Sequence, residues 1–187
     1  MPSAQKAKGS SWEREVAKDL SQLYGESFLR TPGSGAFTGG SNASRKQFLD
    51  ESKIRHFKGD IIPGESFPLL NIEAKFYSDF PFHQLLSGAC KQLDTWIDQI
   101  LTSADKDDIN ILAMKFNRKG SFVAYEQRQT QIKSTNFFCY QNLSTHHGTW
   151  IITDYKNFWQ TNHSTIAAIN AQYLNQMALA KQPQANI

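Results

Sequence analysis

Residues 59–77 read Gly-Asp-Ile-Ile-Pro-Gly-Glu-Ser-Phe-Pro-Leu-Leu-Asn-Ile-Glu-Ala-Lys-Phe-Tyr, and two short runs within them decide the fold. Asp60-Ile61-Ile62 is closed by the turn-forming pair Pro63-Gly64. From Phe67 to Tyr77 the chain then alternates. Leu70, Ile72, Ala74 and Phe76 point one way, while Asn71, Glu73, Lys75 and Tyr77 point the other. Together the runs predict a β-hairpin with one apolar face and one polar, charged face. Asp60 on one strand and Glu73 on its partner can converge on a divalent cation, because Mg2+ prefers oxygen ligands and keeps several waters. The backbone carbonyl of Ala74 is a further candidate ligand. Lys75 shares the polar face with Glu73, about two strand rises away. There its ammonium can orient an attacking water or offset charge developing on a phosphate. The same alternation also describes an ordinary half-exposed strand on which Glu73 and Lys75 are surface charges.

Outward from the hairpin, Trp12, Val16, Leu20 and Leu23 fall at helical spacing, which predicts a helix over 10–24 stopped by Gly25. Ser10 and Glu13 have the spacing of a capping box at its start. Residues 31–44 are rich in Gly and Ser and predict a loop, which runs on into a basic stretch ending at Lys58. Downstream, a helix is expected over 82–101, with Leu85, Leu86, Ala89, Leu93, Trp96, Ile97 and Ile100 as its buried stripe. Strands are expected at 109–116 and 122–126, joined by the turn Asn117-Arg118-Lys119-Gly120, and again at 137–140 and 150–152. A helix over 164–181 closes the chain. This order predicts an α/β fold, a single domain over 1–187 with a central mixed β-sheet flanked by helices.

The chain has 187 residues and a formal net charge of +3. With 40% hydrophobic and 12% aromatic residues it is not a disordered chain. No apolar run approaches the roughly 20 residues of a membrane-spanning helix, and the N-terminus lacks a secretory h-region. Cys90 and Cys139 lack metal-ligand spacing, and two cysteines make no disulfide framework, so a reducing cytoplasm is the expected setting. The small net charge conceals segregation. Residues 30–58 hold six basic side chains (Arg30, Arg45, Lys46, Lys53, Arg55, Lys58) against Asp50 and Glu51. Residues 115–133 hold five (Lys115, Arg118, Lys119, Arg128, Lys133) against Glu126. A divided field of this kind can attract a polyanion, although two solvated loops would look the same.

Gly59-Asp60, twelve intervening residues and Glu73-Ala74-Lys75 resemble the PD-(D/E)xK signature of a nuclease superfamily, with glycine in place of the motif's proline. Lys8-Gly9-Ser10-Ser11-Trp12-Glu13-Arg14-Glu15 resembles the K-G-x-x-x-E-R-E opening of archaeal-type Holliday junction resolvases, and Arg30-Thr31-Pro32-Gly33-Ser34 the R-x-x-G-S segment that follows there. The resemblance implies a restriction-endonuclease-like core over about 8–126. It implies Asp60, Glu73 and Lys75 as catalytic residues, Glu13 as a helix-borne acid completing a metal set with Asp60, Glu73 and Ala74, and Arg30 and Ser34 near the scissile phosphate. It also implies Mg2+ as cofactor, with Mn2+ as the alternative, branched DNA as substrate and a homodimer as the working form. Restriction- or repair-type cleavage of linear duplex, and DNA binding without catalysis, are the competing readings. Two parts of the chain depart from the family. One is a Gly/Ser-rich basic insertion over about 35–58, which offers Arg45, Lys46, Lys53, Arg55 and Lys58 as DNA contacts. The other is a C-terminal extension over about 127–187. Three minor candidates complete the reading. Gln84 or Gln92 could support the site from a helix, as in related nucleases. His146, His147, Cys139 and His163 fit no zinc spacing, and Asp105, Asp107 and Asp108 read as a solvated acidic turn.

Overall fold

The alternating run Leu70–Tyr77 is the third strand, β3, of a seven-stranded sheet in a computed structural model that describes residues 4–32 and 58–180. Helix α1 (Ala4–Tyr24) precedes the short strands β1 (Leu29–Arg30) and β2 (Ile61–Ile62). After β3 come a single helical turn α2 (Phe82–Leu85) and helix α3 (Lys91–Ser103). Strands β4 (Ile109–Phe116), β5 (Gly120–Glu126), β6 (Phe137–Gln141) and β7 (Thr149–Asp154) lead into α4 (Tyr155–Ala180). The strand order is β1-β2-β3-β4-β5-β7-β6, with β3 and β4 parallel and the other neighbours antiparallel. The expected α/β fold with a mixed sheet between helices is the fold of the chain.

Both faces of the sheet are covered. On one, Trp12, Val16 and Leu20 of α1 and Tyr155, Phe158, Trp159 and Ile166 of α4 pack against Ile72, Ala74, Ile111, Ala113, Val123 and Ile151. On the other, Leu93, Trp96, Ile97 and Ile100 of α3 pack against Leu112, Met114, Phe116, Ala124 and Trp150. This second layer corrects the half-exposed reading of β3. Its polar face lies beneath α3, so Asn71 and Glu73 are buried. Asn71 Nδ2 donates to Asn110 Oδ1 at 2.8 Å, and Asn110 Nδ2 to Glu126 at 2.7 Å.

Several local expectations change. Helix α1 starts at Ala4, so Ser10 lies inside it and cannot be the N-cap of a capping box. Gly25 does end the helix, in the left-handed region at φ 70° with its amide on the Ser21 carbonyl at 3.0 Å. The single helix expected over 82–101 is broken around Gly88, also left-handed at φ 67°. The phase of its stripe resets there, leaving Leu86 and Ala89 exposed. Helix α4 begins nine residues earlier than expected, where the Asp154 carboxylate accepts the Asn157 amide at 2.9 Å as an N-cap.

Residues 127–180 are built into the same sheet and core. Strand β7 lies between β5 and β6, and α4 roofs the α1 face. Asn170 of α4 accepts the Leu69 amide at 2.9 Å just before β3 and donates to the Ile166 carbonyl at 2.9 Å. Among the described residues no helix is long and apolar enough to cross a membrane. Asn170→Ala should leave the buried Leu69 amide without its acceptor, at a cost of about 1–3 kcal/mol. Urea unfolding checks this, with an unchanged m-value expected alongside the lower midpoint.

Candidate active site

The site begins where β2 ends against β3. Ile61 pairs with Ile72, which brings Asp60, the residue just before β2, beside Glu73. Two backbone bonds and one to the side chain fix that position: Asp60 N–H to the Ile72 carbonyl at 2.8 Å, Thr31 N–H to the Asp60 carbonyl at 2.9 Å, and Ala74 N–H to Asp60 Oδ2 at 3.0 Å. Gly59 makes the approach feasible. It sits at φ 61°, and a Cβ there would stand 2.3 Å from the Ile72 carbonyl oxygen. The motif's proline, locked near φ −65°, could not adopt that conformation, which accounts for glycine in its place.

Asp60 and Glu73 are both buried, at 6% and 3% exposure. Burial, and next the neighbouring Asp60 carboxylate, push the Glu73 carboxyl up to about 8. The Lys75 ammonium, 2.6 Å from Glu73 Oε1, pulls the other way and only partly compensates. Gln99 of α3 completes this side. Its amide nitrogen donates to Glu73 Oε1, while its Oε1 accepts from Lys75 Nζ at 2.7 Å. Gln99 is the residue the sequence reading missed. A helix glutamine was anticipated at 84 or 92, but the break at Gly88 isolates Gln84 on its own short turn. Gln99 lies seven residues past Gln92, two turns on along the same side of α3.

Two like-charged carboxyls held together out of water are a poor arrangement by themselves and a good one around a divalent cation. The residues fit that group. Asp60 and Glu73 supply oxygen ligands, and the Ala74 carbonyl lies on the strand edge from which its amide reaches Asp60. Among the described residues, however, no three His, Cys, Asp or Glu side chains gather closely enough to hold one ion. Glu13, expected as a third acidic ligand, is not gathered with Asp60 and Glu73 into such a group. Glu13 is buried on α1, and its Oε2 takes the guanidinium Nε–H of Arg30, whose strand partner is Ile61. Among the described residues His146, His147, Cys139 and His163 form no such group, and His147 Nε2 lies 2.6 Å from Asp98.

Lys58 needs a larger correction. As a DNA contact it would have to be exposed, yet it is buried with its ammonium 2.7 Å from Asp108 Oδ2 and also paired with Asp105. The acidic turn is thus not wholly solvated, since Asp108 is buried together with Lys58. Ser34, Arg45, Lys46, Lys53 and Arg55, with the rest of the insertion before Lys58, lie outside the described residues. In the second basic segment the charges are largely paired. Lys115 meets Glu15 at 2.5 Å and lies 4.7 Å from the Trp12 ring centre, Lys119 meets Asp79, and Arg128 meets Glu126 at 2.8 Å.

Among solved structures the chain is similar to Hjc, a Holliday junction resolvase from the archaeal hyperthermophile Archaeoglobus fulgidus, at 14% identity. The match covers 80% of this chain and 91% of that one, with a TM-score of 0.31. A search of the curated proteins found no match. Residues 4–174 match the family described as "Phage putative PDDEXK endonuclease", a span that includes α1, the Asp60–Glu73–Lys75 strands and most of α4. The chain belongs to this family of phage PDDEXK endonucleases.

Proposed function

We propose that the protein is a divalent-metal-dependent DNA endonuclease that hydrolyses phosphodiester bonds at the Asp60–Glu73–Lys75 site, with Mg2+ or Mn2+ as cofactor. The observation that carries the proposal is a buried acid pair facing each other across β2 and β3, with an ammonium 2.6 Å from one of them. A divalent cation in such a site supplies charge neutralisation at a phosphate and acidifies a water; Asp60, Glu73 and the Ala74 carbonyl would hold it. The chain's own groups do the rest. Lys75 presents its ammonium beside Glu73, where it orients the attacking water or offsets charge on the scissile phosphate. Gln99 holds Lys75 and Glu73 in register. Arg30, half-buried and aimed by Glu13, faces the backbone phosphate as a fixed cation.

The proposed substrate is branched duplex, cut by a homodimer that reads backbone and shape with little use of base edges. Support comes from the Lys8–Glu15 and Arg30–Ser34 segments, which resemble those of junction resolvases. A four-way junction and a matching linear duplex, each with Mg2+ or EDTA, test this. Paired, symmetric, metal-dependent cuts in the junction alone are expected. Equal cutting of the linear duplex overturns junction selectivity, and binding without cutting overturns the enzymatic reading.

Asp60→Asn, Glu73→Gln and Lys75→Ala should each lower the cleavage rate by at least about 100-fold, in the range expected for losing a positioned charge or acid–base group. Junction binding, followed by gel shift, should persist. The Glu73 titration also predicts a stability profile. With its carboxyl raised in the folded state, the metal-free protein holds a proton that the unfolded chain has released between pH of about 4.5 and 8. Stability should therefore fall as pH rises through that window. Metal-free thermal melts are expected to lose several degrees from pH 5 to 8. Glu73→Gln should flatten the slope, and Mg2+ at pH 8 should restore the loss.

A further inference from the structure

Lys58 stands two residues before Asp60, and its burial calls for a role other than contact with DNA. Its side chain is 7% exposed, and that of Asp108, its partner at 2.7 Å, 3%. Asp108 is itself fixed on every side. Its Oδ2 also accepts the Asp105 amide at 2.7 Å, and its carbonyl accepts Arg128 Nη2 at 3.0 Å and Gln129 Nε2 at 3.1 Å. It immediately precedes β4, whose first residue pairs with Leu70 of β3. Lys58 is thereby pinned to the strand neighbouring the one that carries Glu73 and Lys75.

A buried Lys–Asp pair is a weak stabiliser, because desolvation offsets much of its attraction. It is a strong positional constraint, because each charge tolerates little displacement from the other. Only Gly59 separates it from Asp60, and Gly59 is wedged in a left-handed conformation against the Ile72 carbonyl. The short span is therefore held at both ends, by the ion pair before Gly59 and by the Ile72 and Ala74 bonds to Asp60 after it. Building on the metal-site proposal above, we infer that Lys58 and Asp108 are positioning residues. The pair sets where Asp60 stands relative to Glu73, and so how tightly the two carboxylates take a divalent cation.

The test is Mn2+ binding to the full chain without DNA, followed by electron paramagnetic resonance, alongside metal-free thermal melts. Lys58→Met/Asp108→Leu replaces the ion pair with apolar side chains, an exchange that is often neutral or stabilising. The expected result is a melting temperature near wild type with Mn2+ affinity reduced about 10–100-fold, the range for losing a group that orients a ligand. The Mn2+ concentration for half-maximal cleavage should rise in parallel. A folded double variant with wild-type Mn2+ affinity overturns the inference. If the double variant does not fold, Lys58→Arg keeps the charge and alters its reach. Weaker Mn2+ binding by that variant supports the positioning role, and unchanged binding overturns it. The metal-site proposal fails separately, through a wild-type chain that binds no Mn2+ or an Asp60→Asn variant that binds it equally well.

Discussion

The structure turns on two carboxylates held against each other in a place that water hardly reaches. Asp60 and Glu73 are cross-strand neighbours, and mutual repulsion added to burial raises the proton affinity of Glu73 well above that of an exposed glutamate. Such a pair persists only where the surrounding fold over-determines it. Lys75 and Gln99 attend to Glu73, the Ala74 amide to Asp60, and Gly59 allows the chain to approach β3 closely enough for the two acids to meet.

The wider architecture serves the same end. Strand β3 lies inside the sheet, between β2 and β4, so the residues bearing Glu73 and Lys75 cannot slip in register. Helix α3 lays Trp96 and Ile100 into the core and sets Gln99, between them in sequence, at the edge of the site. On the far face, α1 is fastened to β4 by the Trp12 indole N–H on the Ala113 carbonyl at 2.9 Å, which fixes the neighbouring Glu13 and through it Arg30. Lys58, buried against Asp108, and Arg128, exposed but paired with Glu126, are cations engaged within the fold. The small net charge therefore understates how much of the basic character is already spent within the fold.

The strand at 70–77 was legible because the alternation is local, and the Glu73–Lys75 spacing is written directly into it. The burial of its polar face was not, because what covers it is α3, some twenty residues further along. Ser10 and Glu13 mimic a capping box by spacing alone, yet α1 simply continues upstream through them. Gly88 sat inside a plausible helical stripe, where an isolated glycine is commonly tolerated, but its left-handed backbone breaks the helix, and the glutamine at the site is Gln99. Lys58 read as one cation in a basic run because its partners, Asp105 and Asp108, lie 47 and 50 residues away. For Lys58 and for the polar face of β3, local pattern identified the residue type and a long-range contact decided its role.

The most direct measurement is anomalous scattering from crystals of the protein soaked in Mn2+. An anomalous peak between β2 and β3, ligated by Asp60, Glu73 and the Ala74 carbonyl, is expected, and it should disappear in Asp60→Asn. A peak coordinated elsewhere, with none between Asp60 and Glu73, would contradict the metal-site proposal.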